Sequence, residues 1–341
     1  KKKINNLFSY TMNCLSDVVV SLQNGYENKY KCIVHILQNN FYDLYIKVNG
    51  GTNNTPILFS NRQVLLKEIP YSILFGVKTL ISSSCVINIK NMNEDINTLK
   101  LLGISINNLF VSTNTQITYL SDNDEPTSLF KTYLNKFSGK GILIKELTMK
   151  EIIKHFKGNL VKCVDQYDII KESKKKLIEQ FYSFNLDLDW SYNSNTSYTF
   201  NSTGYALSYV NPRSLNNVYG VSSIFQVHNS LINNKLNYNY VDKYADDLDS
   251  IKKYNNKGDY TSYFFLDIDL LIKNIEQNGV STLFFTNCEV LVKLNIFRIF
   301  FKNSVQSFSS WETLSEYILK ILMNNSSVSE IIFDFPKLSD Y

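Results

Sequence analysis

The chain has 341 residues, 44% of them apolar and 19% charged, with a formal net charge of +4. That is apolar material enough for a sizeable core, and too little positive charge over this length to make a nucleic-acid footprint by itself. Two alanines, three arginines and five prolines, against abundant Lys, Asn, Ile, Tyr and Phe, mark an A+T-rich genome, so a choice of Lys over Arg carries little information.

Residues 1–121 read as a β-rich part. "DVVVSLQ" (17–23), "YKCIVHILQ" (30–38), "FYDLYIKV" (41–48), "PILFS" (56–60) and "CVINIK" (85–90) are short runs rich in β-branched and aromatic residues. Asn24-Gly25 and Asn49-Gly50 between them are hairpin signals, because both residue types tolerate positive φ. "DINTLKLLG" predicts a short helix that Gly103 ends.

From 122 the period changes to a β-α-β-α-β pattern through residue 190. "DNDEPTSLFKTYLNKF" has helical spacing, and "GILIKE" reads as a strand. "TMKEIIKHF" opens on a capping box of Thr148 and Glu151, and "NLVKCV" is a second strand. "DQYDIIKESKKKLIEQFY" predicts one long helix capped by Asp165, with Lys174, Lys175 and Lys176 on its solvated face, and "SFNLDLDW" a third strand. In a parallel unit of this kind ligands gather at the carboxyl ends of the strands.

Residues 191–258 form a Tyr/Asn/Ser-rich stretch, too aromatic for a disordered linker, which reads as an ordered insertion suited to contacts. Residues 259–341 return to mixed helix and strand. "SSWETLSEYILKILMN" predicts a helix with a Ser309/Glu312 capping box and a stripe of Trp311, Leu314, Ile318, Ile321 and Leu322. "SEIIFDF" closes this part as a strand. The class expected is therefore α+β.

Cys14, Cys32, Cys85, Cys163 and Cys288 are odd in number, far apart and set in apolar contexts, which reads as buried thiols in a reducing compartment. The most apolar window, "YSILFGVKTLISSSCVINI", is broken by Lys78 and three serines, and "KKK" is followed by no secretory apolar run. An intracellular or virion protein, neither secreted nor membrane-bound, is the expectation.

Two Asp-x-Asp pairs end apolar runs: Asp187/Asp189 in "FNLDLD" and Asp267/Asp269 in "FFLDID". On an extended strand residues i and i+2 share a face, so each pair could offer two carboxylates to one divalent cation. With His228 in "FQVHN" between them, the order resembles the motifs of the DNA primase–polymerase family, although Gln226 stands where that family has Ser. The resemblance implies a metal-dependent nucleotidyltransferase holding its ions on these aspartates. The residues themselves favour another reading. Asp267 or Asp269 stands where a strand gives way to the helical pattern "LLIKNIEQNG", where an Asp caps free backbone N–H groups, and Asp187 and Asp189 can end a strand at the surface.

"FSGKGILIK" lacks the spacing of a phosphate loop, no G-x-S-x-G is present, and Lys174–Lys176 could meet a phosphate only if the chain handled nucleic acid. No catalytic constellation stands out. The sequence therefore points to a non-enzymatic assembly protein of a virus or phage, such as a capsid-associated, connector or tail component. Its partners would be other protein subunits, it would need no cofactor, and it would reside in the virion or host cytoplasm. The alternative is a nucleic-acid-handling protein, with divalent metal only in that case.

Overall fold

The computed structural model describes residues 15–23, 27–49, 56–118, 147–148, 162–180, 203–207, 211–229, 241–255 and 261–335. The chain divides into two compact units, Lys1–Val18 with Ile33–Asn216, and Val19–Cys32 with Asn217–Tyr341. The mixed helix-and-sheet class expected from the sequence is what the structure shows, and its sheets are mostly parallel.

The first unit holds the start of β1 (Leu15–Ser21) and most of α1 (Lys29–Asn39). It continues through β2 (Leu44–Asn49), the hairpin β3 (Ile57–Phe59) and β4 (Arg62–Val64), β5 (Lys78–Ile81) and β6 (Val86–Asn88). Then come α2 (Ile89–Leu101), β7 (Leu109–Ser112), β8 (Gln116–Thr118), β9 (Leu147–Thr148) and β10 (Lys162–Val164). α3 (Gln166–Glu172), β11 (Lys175–Gln180) and α4 (Thr203–Leu207) complete it. Its main strands lie in the order β10-β7-β5-β2-β11-β1. β10 with β7, β7 with β5, β5 with β2 and β2 with β11 all pair in parallel. Parallel neighbours need crossovers, and α2 lies in the one from β5 to β7. Leu44, Ile46, Leu80, Val111, Leu177 and Ile178 are wholly buried, as strands covered on both faces require.

The second unit carries the end of β1, then β12 (Leu215–Ser223), β13 (Phe225–Asn229), α5 (Ala245–Asn255) and β14 (Thr261–Asp267). α6 (Ile268–Asn278), β15 (Thr282–Thr286), α7 (Cys288–Leu294), β16 (Arg298–Phe301) and β17 (Ser304–Ser307) follow. α8 (Trp311–Asn325) and β18 (Glu330–Phe333) end it. Here the order is β1-β12-β15-β18, with β15 parallel to both β12 and β18, and a smaller sheet runs β13-β14-β16-β17. Lys302 and Asn303 both take positive φ in the two-residue turn from β16 to β17, as Ser60 and Asn61 do between β3 and β4. Such a turn matches the twist of the strands it joins.

Several expectations need correction. Residues 30–38 are helix, not strand: Cys32, Ile33, Ile36 and Leu37 are buried while His35 and Gln38 are exposed, a 3.6-residue period that β-branched residues disguise. The long helix after Asp165 stops at Glu172. Asp165 does cap it, accepting from the Tyr167 N–H at 2.9 Å. Beyond it, Lys176, Leu177, Ile178 and Glu179 are all buried in succession, which only a central strand permits. Asn49-Gly50 joins no hairpin partners of β2, whose neighbours β5 and β11 are both parallel. The capping box of α8 is Ser310 with Thr313, one residue beyond the predicted pair. Thr148 lies in β9. The helix over 122–137, the strand "GILIKE", the rest of the 149–157 helix and the strand over 183–190 lie outside the described residues.

Candidate functional site

A parallel sheet directs its strand ends, and the loops that follow them, to one edge. In the second unit that edge is formed by the residues after β1, β12, β15 and β18, and polar side chains cross-link it.

Gln23, just past β1, donates through Nε2 to Ser222 Oγ and to the Ser223 carbonyl, both at 2.9 Å, at the end of β12. Thr286, the last residue of β15, donates its hydroxyl to the Glu27 carbonyl at 2.6 Å. Asn28 and Asn287 face each other, with Asn28 Nδ2 donating to Asn287 Oδ1, and Asn287 Nδ2 donates on to Ser223 Oγ at 2.8 Å. Both asparagines have positive φ, +48° and +62°. Asn tolerates this region better than other residues with a Cβ, which is why it can stand at two abrupt turns into helices.

Lys31, in the first turn of α1, is the charge at the centre. Its ammonium lies 3.2 Å from Glu289 Oε1 and 2.9 Å from Asp334 Oδ2, and all three side chains are about one-fifth exposed. Burial disfavours the Lys31 charge, but the two carboxylates outweigh it and its pKa is raised. Glu289 stands at the start of α7, and its Oε2 is buried with no hydrogen-bond partner among the described residues. Burial raises the pKa of the adjacent Cys288 thiol well above the ordinary value, and Glu289 and Asp334 add to the rise; the thiol stays neutral. Asp334 is held by its neighbours: Phe333 stacks on Phe285 at 5.2 Å, and Trp311 meets Phe333 and Phe335 edge-on at 5.4 and 5.0 Å. The trio carries one positive and two negative charges, so the edge is acidic and offers an acceptor to a donor-bearing ligand.

The residues expected from the sequence lie elsewhere. Asp267 caps α6, its Oδ1 accepting from the Leu270 N–H at 3.0 Å, and Asp269 accepts from the Lys302 N–H at 2.8 Å. Asp187 and Asp189 lie outside the described residues. Among the described residues no group of three or more His, Cys, Asp or Glu is placed to hold a metal ion. His228 lies in β13, paired with Ser262 of β14. Lys174, Lys175 and Lys176 form no helical face. Lys174 and Lys175 give their N–H groups to Asp43, the Lys175 ammonium sits 4.7 Å over the Tyr42 ring, and Lys176 is buried. The site was missed because "QNGYENKYK" reads as a hairpin turn.

The comparisons bear on what such an edge belongs to. The family model for adenylosuccinate synthetase matches residues 18–124, which include the loop after β1, α1 and Lys31. Adenylosuccinate synthetase from Plasmodium falciparum, fully ligated, superposes with a TM-score of 0.63 at 15% identity, over 93% of this chain and 96% of that one. The fold is that of an adenylosuccinate synthetase. A cyanophage S-2L succinoaminodeoxyadenylate synthetase, bound to dGMP and to dATP as an energy donor, superposes with a TM-score of 0.57 at 12% identity, over 90% of this chain and 99% of that one. Comparison with curated proteins finds no match.

These matches overturn the expectation of a non-enzymatic assembly protein, since the family model and both structures are those of nucleotide-metabolism enzymes. The expected partners, subunits of a large assembly, fall with it, because the cyanophage enzyme is bound to small nucleotides. The virion placement rested on the same idea. No helix among the described residues is long and apolar enough to cross a membrane.

Proposed function

We propose that this chain is a nucleotide-metabolism enzyme of the adenylosuccinate synthetase kind, binding a purine nucleotide at the carboxyl ends of β1, β12, β15 and β18. The reaction class would be triphosphate-driven attachment of a succinoamino group to a purine nucleotide. The observation that carries the reading is the position of the family match: it begins inside β1 and runs through the loop and helix that bring Lys31 to the edge.

The chemistry of the edge agrees with a base more than with a phosphate. Lys31 is already neutralised by Glu289 and Asp334, and an added phosphate would meet a net negative trio. The buried, unpartnered Oε2 of Glu289 is an acceptor for the ring N–H or exocyclic amine of a purine.

Calorimetric titration with GTP, ATP, GMP and dGMP tests this. Saturable binding of at least one purine nucleotide is expected, and Glu289→Gln, which keeps the shape and removes the charge, should weaken it about 10- to 100-fold, the worth of one hydrogen bond to a charged group. Absence of binding by all four nucleotides, or affinity unchanged in a folded Glu289→Gln, would refute the assignment.

A further inference from the structure

A second group of buried ionisable side chains lies in the first unit. Lys47 on β2, Glu68 in the segment after β4 and Asp95 on α2 are each no more than 2% exposed. Asp95 is fully used: its two oxygens accept from the N–H groups of Lys67, Glu68 and Ile69 at 2.7, 2.7 and 2.9 Å, so one carboxylate clasps three consecutive residues to α2. Lys47 donates its ammonium to the backbone carbonyl of Glu68 at 3.0 Å. Glu68 Oε1 accepts a long bond, 3.3 Å, from Asn91 Nδ2. Its Oε2 is buried and has no hydrogen-bond partner among the described residues.

A carboxylate oxygen in that position is a charge without solvation, whereas a carboxylic acid hydroxyl there costs far less. We propose that Glu68 carries its proton in the folded protein and releases it only when Lys67–Ile69 lift off α2, so that the Asp95 clasp loosens as the pH rises. The charged and titratable groups facing Glu68 are Lys47 from β2, Asp95 from α2 and Cys85 ahead of β6. Burial is the largest influence and raises the Glu68 pKa. Lys47, Asn91 and the Asn88 backbone oppose the rise, and Asp95 adds to it. Burial pushes the Cys85 thiol up to about 11, which keeps it neutral across the relevant range. Burial raises Asp95 as well, against the three N–H groups that it accepts.

The sign follows from proton counting. The closed state binds a proton that the open state loses above the ordinary glutamate value of about 4.3. Closure is therefore most favourable below that pH, and weakens up to tenfold per pH unit until Glu68 ionises in place.

Native-state hydrogen exchange of the Lys67, Glu68 and Ile69 amides in the full chain, corrected for the intrinsic pH dependence of exchange, reads this opening directly. The opening constant is expected to grow several-fold to tenfold per pH unit above about pH 4.5 in the wild type. In Glu68→Gln it should be smaller and flat. A flat wild-type profile would overturn the proposal, and so would the same slope surviving in Glu68→Gln, which would assign the titration to Asp95. If that variant does not fold, the pH titration of the Glu68 carboxyl carbon resonance in the wild type decides: a midpoint above the ordinary glutamate value supports the proposal and one at or below it ends it.

Discussion

At the scale of single residues, the two positions that matter most are a lysine held by two acids and a glycine with no room beside it. Lys31 bridges Glu289 and Asp334, so replacing it leaves two half-buried carboxylates facing each other. Lys31→Met should lower stability by about 1–3 kcal/mol, between the worth of an exposed pair and that of a fully buried one, seen as a shifted denaturant midpoint. Gly220 stands in β12, where a Cβ would come 2.7 Å from Leu22 Cδ1 and 2.8 Å from Val280 Cγ1. Gly220→Ala forces the β1 end and the residue ahead of β15 to move, and about 1–3 kcal/mol of destabilisation is expected in the same measurement. A variant as stable as the wild type would show that these side chains can turn away.

At the scale of elements, what was legible in the sequence was local. "DVVVSLQ" is a strand, "DINTLKLLG" belongs to a helix that ends before Gly103, and the stripe of α8 buries Leu314, Ile318 and Leu322 as its spacing predicts. Asp267 shows the same: its place between an apolar strand and a helical pattern announced the cap. Asp267→Ala should cost about 0.5–2 kcal/mol by thermal melting, with no metal-dependent effect. An equal melting temperature would deny the cap its role. Errors came where tertiary burial overrides propensity. α1 is rich in β-branched residues yet buries one helical face. β11 opens on Lys175 and Lys176, directly after Lys174, yet lies inside a sheet. Propensity is a weak prior in both directions.

At the scale of the molecule, the site could not have been read from the chain, because nothing local marks it. Lys31 on α1, Glu289 on α7, 258 residues further on, and Asp334 just past β18 meet only when β1, β15 and β18 run to one edge. The Asp-x-Asp pairs, by contrast, were conspicuous in sequence, and the one within the described residues serves a helix start and a turn.

The central claim is that a purine nucleotide is held where Lys31, Glu289 and Asp334 converge. A crystal structure of the full chain grown with GTP tests it most directly. The account expects the base at that edge, with a ring N–H or amine within about 3 Å of Glu289 Oε2. Nucleotide ordered at another place in the chain, with Glu289 and Asp334 still closed on Lys31 alone, would contradict it.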